Sequence, residues 1–410
     1  MIPKGLCLKC KGRLWCGESK CFVLEKFKTK QSVLKEIRKK EFTGSSPPGF
    51  FTSWQNYPNI TIAPLSPTVI MRDADLLDNP ERWYGYKLEE IVGFRESLVQ
   101  ARTGVNAFEA SNPSYELVDL QELAMSEKQL NVELKLEKEP RLELRFSDSV
   151  APLGPVAELQ DLQFQENPKI PKSIEKFYYD NEAKTIDALK ELYTKGIPVH
   201  SLSKLMSAGV FGIEKNRKFV PTRWSITSVD SQLSQEMIGK VKDFETIDYF
   251  ELCNSKYLDN DFWILLIPSK WQFEQLEAWK PGTAWTFEEQ QASIIQDHEF
   301  YNGRKNYASN VAGAYYAARL AVCEHLMRRK RQSGAIIFRE IGEGYKVPVG
   351  VFQIRENVRE ALRKKPLTFF ELPLVLKFLE KKLSVPVRQY EKESKLIDAL
   401  KHQKRISEFF

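Results

Sequence analysis

The chain has 410 residues, 42% of them hydrophobic and 28% charged, with a net charge of +6. That composition is ordinary for a globular protein of one large domain or two. No apolar run reaches the roughly 18 residues of a membrane span, and the first residues lack the apolar core of a signal peptide. The charge is local: residues 1–30 hold eight Lys/Arg against Glu18 and Glu25, so this segment carries the whole surplus and the rest is neutral. A basic knob on a neutral body suits a polyanionic partner.

Within that knob Cys7, Cys10, Cys16 and Cys21 follow the spacing C-x2-C-x5-C-x4-C. Four thiolates suit tetrahedral zinc, and nearby lysines would offset the charge of such a site. An iron–sulfur cluster takes the same four ligands and is the rival reading. Two disulfides would need an oxidising compartment, for which no targeting signal speaks. Zinc here either only folds the segment or also presents its lysines to nucleic acid. Cys253 and Cys323 stand apart and read as buried core thiols.

The remaining elements are read in chain order. Residues 25–43 are Lys-rich with Val33, Leu34 and Ile37 at helical intervals. Pro47-Pro48-Gly49 breaks the chain, and residues 50–67 read as extended. A helix is expected over 86–101, then a strictly alternating strand over 130–137 that turns at Lys138-Glu139-Pro140 into Leu142, Leu144 and Phe146. Pro152, Gly154 and Pro155 mark a domain joint. Beyond it come a helix over 172–195, strands over 245–253 and 260–267, and an alanine-rich helix over 305–330. Strands over 335–341 and 347–354 follow, then a helix capped by Thr368 and Glu371, and a last helix from Pro386 to Ala399. Interleaved helices and strands predict a mixed α/β or α+β fold, with helices packed on one or two sheets, preceded by a small zinc-binding segment. The expected divisions are residues 1–30, 31–152, 153–395 and a tail of 396–410.

Neither a G-x-x-x-x-G-K-[ST] loop nor a G-x-G-x-x-G turn is present, which speaks against a P-loop ATPase or a Rossmann site. None of the four histidines, His200, His298, His325 and His402, pairs with another at metal-ligand spacing. Two polar segments remain as candidate sites. In the first, Asp73 and Asp75 could share Mg²⁺ or Mn²⁺ for phosphodiester hydrolysis. The plain alternative is that Asp73 pairs with Arg72 or Arg82 while Asp78 caps a turn. In the second, Asn216, Arg217, Thr222, Arg223, Trp224 and Ser225 supply cations, hydroxyls and a stacking ring, which suits a phosphate or a base. The plain alternative there is a basic hairpin followed by a strand whose Trp is core.

The last residues carry Gln403, Ile406, Phe409 and Phe410, and one helical turn would gather the last three on one side. Two adjacent phenylalanines are costly surface unless a partner buries them. The string resembles the PIP box, the peptide by which DNA-processing proteins dock on the sliding clamp PCNA. Several longer strings, among them MIPKGLCLKCKGRLWCG, SPPGFFTSWQNYPNI, DADLLDNPERWYG, GVFGIEKNRKFVPTRWSIT and QKRISEFF, resemble the archaeal DNA-repair proteins of the NreA family. The resemblance implies an archaeal protein of the cytoplasm and nucleoid, with a zinc-finger-like start on the four cysteines and a clamp-binding tail. It assigns no catalytic residue. The expected function is therefore a clamp-recruited DNA-repair protein that binds DNA, either a metal-dependent nuclease or lyase using Asp73, Asp75, Arg217 and Arg223, or a non-catalytic adaptor between DNA and PCNA.

Overall fold

The computed structural model describes residues 13–14, 39–142, 153–281, 291–345 and 347–402. Cys7, Cys10, Cys16 and Cys21 and the tail residues Gln403, Ile406, Phe409 and Phe410 lie outside the described residues. The protein is mixed α/β, with two six-stranded sheets. The chain divides into two compact units between Gln232 and Leu233, and each unit holds one sheet.

The first sheet is built from β1 (Glu41–Ser46), β2 (Phe50–Thr52), β3 (Asn59–Ser66), β4 (Val99–Asn106), β5 (Leu130–Leu136) and β6 (Val156–Phe164), in the order β1-β5-β6-β4-β3-β2. All its neighbours are antiparallel except β4 and β6. The alternation of β5 is realised as expected: Leu130, Val132, Leu134 and Leu136 are buried in one cluster while Glu133 and Lys135 face water. Each such Leu contributes roughly 1.5–3 kcal/mol of burial, and a one-residue slip would turn all four outward.

The partner of β5 differs from the expected hairpin. The strand is flanked by β1 and β6, the latter nine residues long over Val156–Phe164, while residues 143–150, with the expected second strand's Leu144 and Phe146, lie outside the described residues. The anticipated joint at Pro152–Pro155 thus precedes a strand of this same sheet. Three more boundaries shift. Residues 41–43 start β1 rather than finish a helix, and the helix expected over 86–101 is Leu88–Glu96, with Val99 already in β4. The span 172–195 holds two helices, Lys172–Tyr179 and Thr185–Thr194, parted where the Asp180 carboxylate accepts from the amides of Glu182 and Ala183.

The second sheet runs β10-β9-β11-β8-β7-β12, from β7 (Phe250–Tyr257), β8 (Asn260–Ile267), β9 (Gln272–Trp279), β10 (Ser293–Glu299), β11 (Gly334–Ile341) and β12 (Leu367–Phe369). The dense apolar run of β8 is a strand covered on both faces: Phe262, Ile264 and Leu266 enter one core cluster, Trp263, Leu265 and Ile267 the other. Helix Gly313–Arg329 packs against helix Phe352–Arg363 on the first of these faces, its Ala314, Ala317, Ala318 and Ala321 buried to allow close approach. Cys253 and Cys323 are buried free thiols, as expected, and burial pushes the Cys253 thiol up to about 11.

Three expectations in this half are corrected. Residues from Phe352 onward are helical rather than extended; Thr368 lies in β12 rather than in a helix cap; and the last helix is two, Val387–Glu393 and Lys395–His402. The break has a buried cause. Glu274 on β9 accepts hydrogen bonds from Ser394 Oγ and from the backbone amides of Lys395 and Leu396, so a sheet carboxylate caps the final helix. No helix among the described residues is long and apolar enough to cross a membrane.

Candidate nucleic-acid interface

The two candidate segments both fall in the first unit, and the structure treats them differently. In the first, Asp73 precedes and Asp75 lies within the 3₁₀ turn Ala74–Asp78, which a second turn, Pro80–Arg82, follows. The Arg82 guanidinium holds both oxygens of Asp73, at 2.7 and 2.6 Å, and lies 3.4 Å from Asp75, which also accepts from Asn79 at 2.8 Å. The Arg82 hydrogen bond holds the Asp73 carboxyl below its usual range. The plain reading of this pair is therefore the observed one: the neighbouring cation is an arginine. Among the described residues no group of three or more His, Cys, Asp or Glu is placed to hold a metal.

Arg217 is likewise engaged. Its guanidinium is buried and donates to the carbonyls of Gly212, Phe177, Tyr178 and Asp180, at 2.7–3.2 Å. Three of those carbonyls belong to the C-terminal end of helix Lys172–Tyr179, which an arginine both caps and compensates electrostatically. Arg217 is thus a structural cation, with four of its five N–H groups committed to main-chain carbonyls.

The rest of the second segment is arranged for contact. Residues 209–227 form neither a hairpin nor a strand. A 3₁₀ turn at Glu214–Asn216 leads into helix Thr222–Val241, whose first turn carries Arg223 and Trp224 outward. Thr222 Oγ1 accepts from the Thr52 amide at 2.9 Å, and the buried Ser225 hydroxyl bonds the Thr222 carbonyl. Both hydroxyls anchor the helix start, and the Ser225 proton is committed to the Thr222 carbonyl. Asn216 and Arg223 are exposed.

Two backbone bonds bring other turns to this helix start: the Ala107 amide donates to the Pro58 carbonyl, and the Phe219 amide to the Ala107 carbonyl, both at 2.8 Å. The consequence is a set of exposed aromatic rings. Trp224 is 45% exposed and packs at 5.2 Å on Tyr57, itself 38% exposed. Phe108 is exposed and lies under the Lys218 ammonium at 4.8 Å. Lys215 and Arg223 are exposed in the same segment, while of its neighbouring acids Glu109 is turned back to cap the Asn106 amide and Glu214 faces Arg217. Exposed rings interleaved with cations match the way unpaired nucleic acid is held, by base stacking and phosphate attraction. Sequence reading singled out Arg223 and Trp224 but not Tyr57 or Phe108, and took Lys218 only as one cation of its segment. The available signal was aromatic residues inside turn-rich stretches, SWQNYPN and NAFEASN, where a core ring is not expected.

Residues 15–286 match the family model described as archaeal Nre, N-terminal, and residues 299–409 that described as archaeal Nre, C-terminal. The chain is 35% identical over 393 residues to DNA repair protein NreB of Archaeoglobus fulgidus, covering 95% of this chain and 96% of that one. It is 35% identical to DNA repair protein NreA of the same organism, over 88% of this chain and 90% of the other. DNA repair protein NreA of Haloferax volcanii is 34% identical, over 83% of this chain and 82% of its own. No solved structure matches the chain. With both halves of the family model matched, and relatives aligned over most of their own length, the chain belongs to the archaeal Nre family.

Proposed function

We propose that this chain acts in DNA repair as a DNA-binding adaptor, holding unpaired DNA on the face built by Trp224, Tyr57, Phe108, Lys218 and Arg223. The names of its relatives supply the process. The observation that carries the binding mode is the exposed Trp224–Tyr57 pair beside exposed cations. The adaptor reading stands ahead of a nuclease because Asp73, Asp75 and Arg217 already have protein partners that occupy them. The four N-terminal cysteines fit zinc by residue type and spacing, and the terminal Gln403, Ile406, Phe409 and Phe410 fit a PCNA-docking peptide on the same grounds.

Two measurements test this. Trp224→Ala is expected to weaken binding of a single-stranded oligonucleotide by about 1–3 kcal/mol, roughly fivefold to 150-fold, in an anisotropy titration at fixed salt. An unchanged affinity would remove the stacking face. Phe409→Ala with Phe410→Ala is expected to abolish capture on immobilised PCNA, an interaction of roughly micromolar Kd, while DNA affinity stays as it was. Capture that survives the double change rules out the tail as the docking peptide.

A further inference from the structure

The second unit has an aromatic and basic surface of its own, at the end of its sheet where β10 finishes beside the start of β9. Residues 300–312 connect β10 to helix Gly313–Arg329, and two side chains hold this connection. Arg304 donates to the carbonyls of His298, Asn306 and Tyr307 at 2.7–3.2 Å, and to Asp297 Oδ1 at 2.8 Å. Asp297 Oδ2 accepts from the amides of Asn310 and Val311 at 2.9 and 2.8 Å. The loop is thus tied to β10, yet three of its rings, Phe300, Tyr301 and Tyr307, are turned to water. Phe300 is 46% exposed; Tyr307 is 54% exposed and stacks on Tyr316 at 5.4 Å.

Tyr301 is placed differently. Lys242 Nζ stands 4.5 Å and Lys270 Nζ 5.6 Å from its ring centre. These lysines come from separate turns, which the buried Gln332 joins. Its amide donates to the carbonyls of Lys242 and Phe244 at 3.0 and 2.9 Å, and its oxygen accepts from the Trp271 amide at 2.8 Å. Lys305 is exposed in the loop itself. Most acids nearby are matched: Asp297 by Arg304, Glu299 by Arg319, Glu245 by Arg331. Glu236 and Lys240 stand four apart on the preceding helix and offset one another. Asp248 leads into β7, beyond β9, β11 and β8. What remains is Lys242, Lys270 and Lys305 against Asp243, a local positive surplus among exposed rings.

We propose that this surface is a second contact for single-stranded DNA, with Phe300 and Tyr307 stacking on bases and Lys242, Lys270 and Lys305 attracting the phosphates. The combination selects the occupant. Lysines alone would suit any polyanion, and rings alone any apolar partner; interleaved, they suit bases on a charged backbone. Tyr301 is a positioning residue: it holds two ammonium groups in place before a strand arrives, which lowers the entropy lost on binding. The proposal rests on the reading of this chain as a DNA-binding protein, but the surface shares no residue with the Trp224 face.

The test is an anisotropy titration of the full-length protein with a labelled strand of about 15 thymidines, run in the Trp224→Ala background. There Phe300→Ala with Tyr307→Ala is expected to lower the remaining affinity at least about tenfold. Affinity unaltered by that pair overturns the proposal. Phe300→Tyr with Tyr307→Phe keeps both rings and is expected to bind as the background does; an equal loss there would point to the fold rather than to stacking, and overturn it. Lys242→Gln with Lys270→Gln is expected to reduce the slope of log affinity against log salt by about 1.4, the share of two phosphates on a single strand. An unchanged slope also overturns it. So does polyglutamate that displaces the labelled strand as well as unlabelled thymidine does, since the surface then takes an acidic peptide. If Trp224→Ala alone leaves affinity intact while the Phe300 and Tyr307 pair removes it, the first face falls and this one stands.

Discussion

Arg217→Ala will cost about 3–5 kcal/mol of stability, while Arg223→Ala, six residues along, will cost almost none and will weaken DNA binding instead. The two arginines sit in one basic string and look equivalent there. Arg217 is buried and satisfies four carbonyls, three of them at the end of helix Lys172–Tyr179. Truncation leaves those acceptors buried without donors, each worth about 1–3 kcal/mol, and cuts the tie between residues 177–180 and 212–217. A lysine replacement recovers little, since one ammonium cannot span the fork that the guanidinium fills. Arg223 is exposed on a helix start and makes no comparable set of bonds. The measurement pairs urea denaturation with DNA titration for each variant. If Arg217→Ala melts like the parent yet binds DNA poorly, the guanidinium belongs to the interface and its structural assignment is wrong.

Glu299→Gln will destabilise the second unit by a similar amount, about 3–5 kcal/mol, because it leaves a buried cation without its counter-charge. Arg319 on helix Gly313–Arg329 is 3% exposed and donates to Glu299 Oε2 at 2.8 Å; Glu299 at the end of β10 is 2% exposed. Ser234 Oγ accepts from Arg319 Nε at 3.1 Å, and Trp271 Nε1 donates to the other Glu299 oxygen at 3.0 Å. A glutamine still accepts from the indole but no longer balances the guanidinium. The double change Glu299→Gln with Arg319→Met removes both charges and is expected to regain most of the loss. The control is Arg331→Met, which breaks the exposed pair with Glu245 and should cost no more than about 1 kcal/mol. Hydrogen exchange of the β11 amides reads the effect within this unit, where a single global transition cannot be assumed for a two-unit chain. Equal exchange in Glu299→Gln and Arg331→Met would show that the buried pair contributes no more than a surface one.

Local pattern by itself determined the alternating strand β5, the two-faced strand β8, the alanine-packed helix, though it begins at Gly313 and not at residue 305, and the buried state of Cys253 and Cys323. In each case the periodicity or residue size has one solvent-excluded solution, whatever lies across from it. The family was also legible, from long strings that resemble it, and the two family models match most of the chain. What only the tertiary structure decided was partnership. The strand β5 met β1 and β6 from distant sequence, the final helix was cut at Ser394 by a carboxylate from β9, and Arg217 was drawn inward by a helix end some forty residues earlier. The same holds for the acidic residues. Asp73 and Asp75 are as acidic in sequence as Asp78, yet the first two face Arg82 at the surface and only the third is enclosed with Lys204, Arg95 and His200. A side chain's charge is written in its identity, but whether that charge is spent, free or buried depends on neighbours that chain closure brings from more than a hundred residues away.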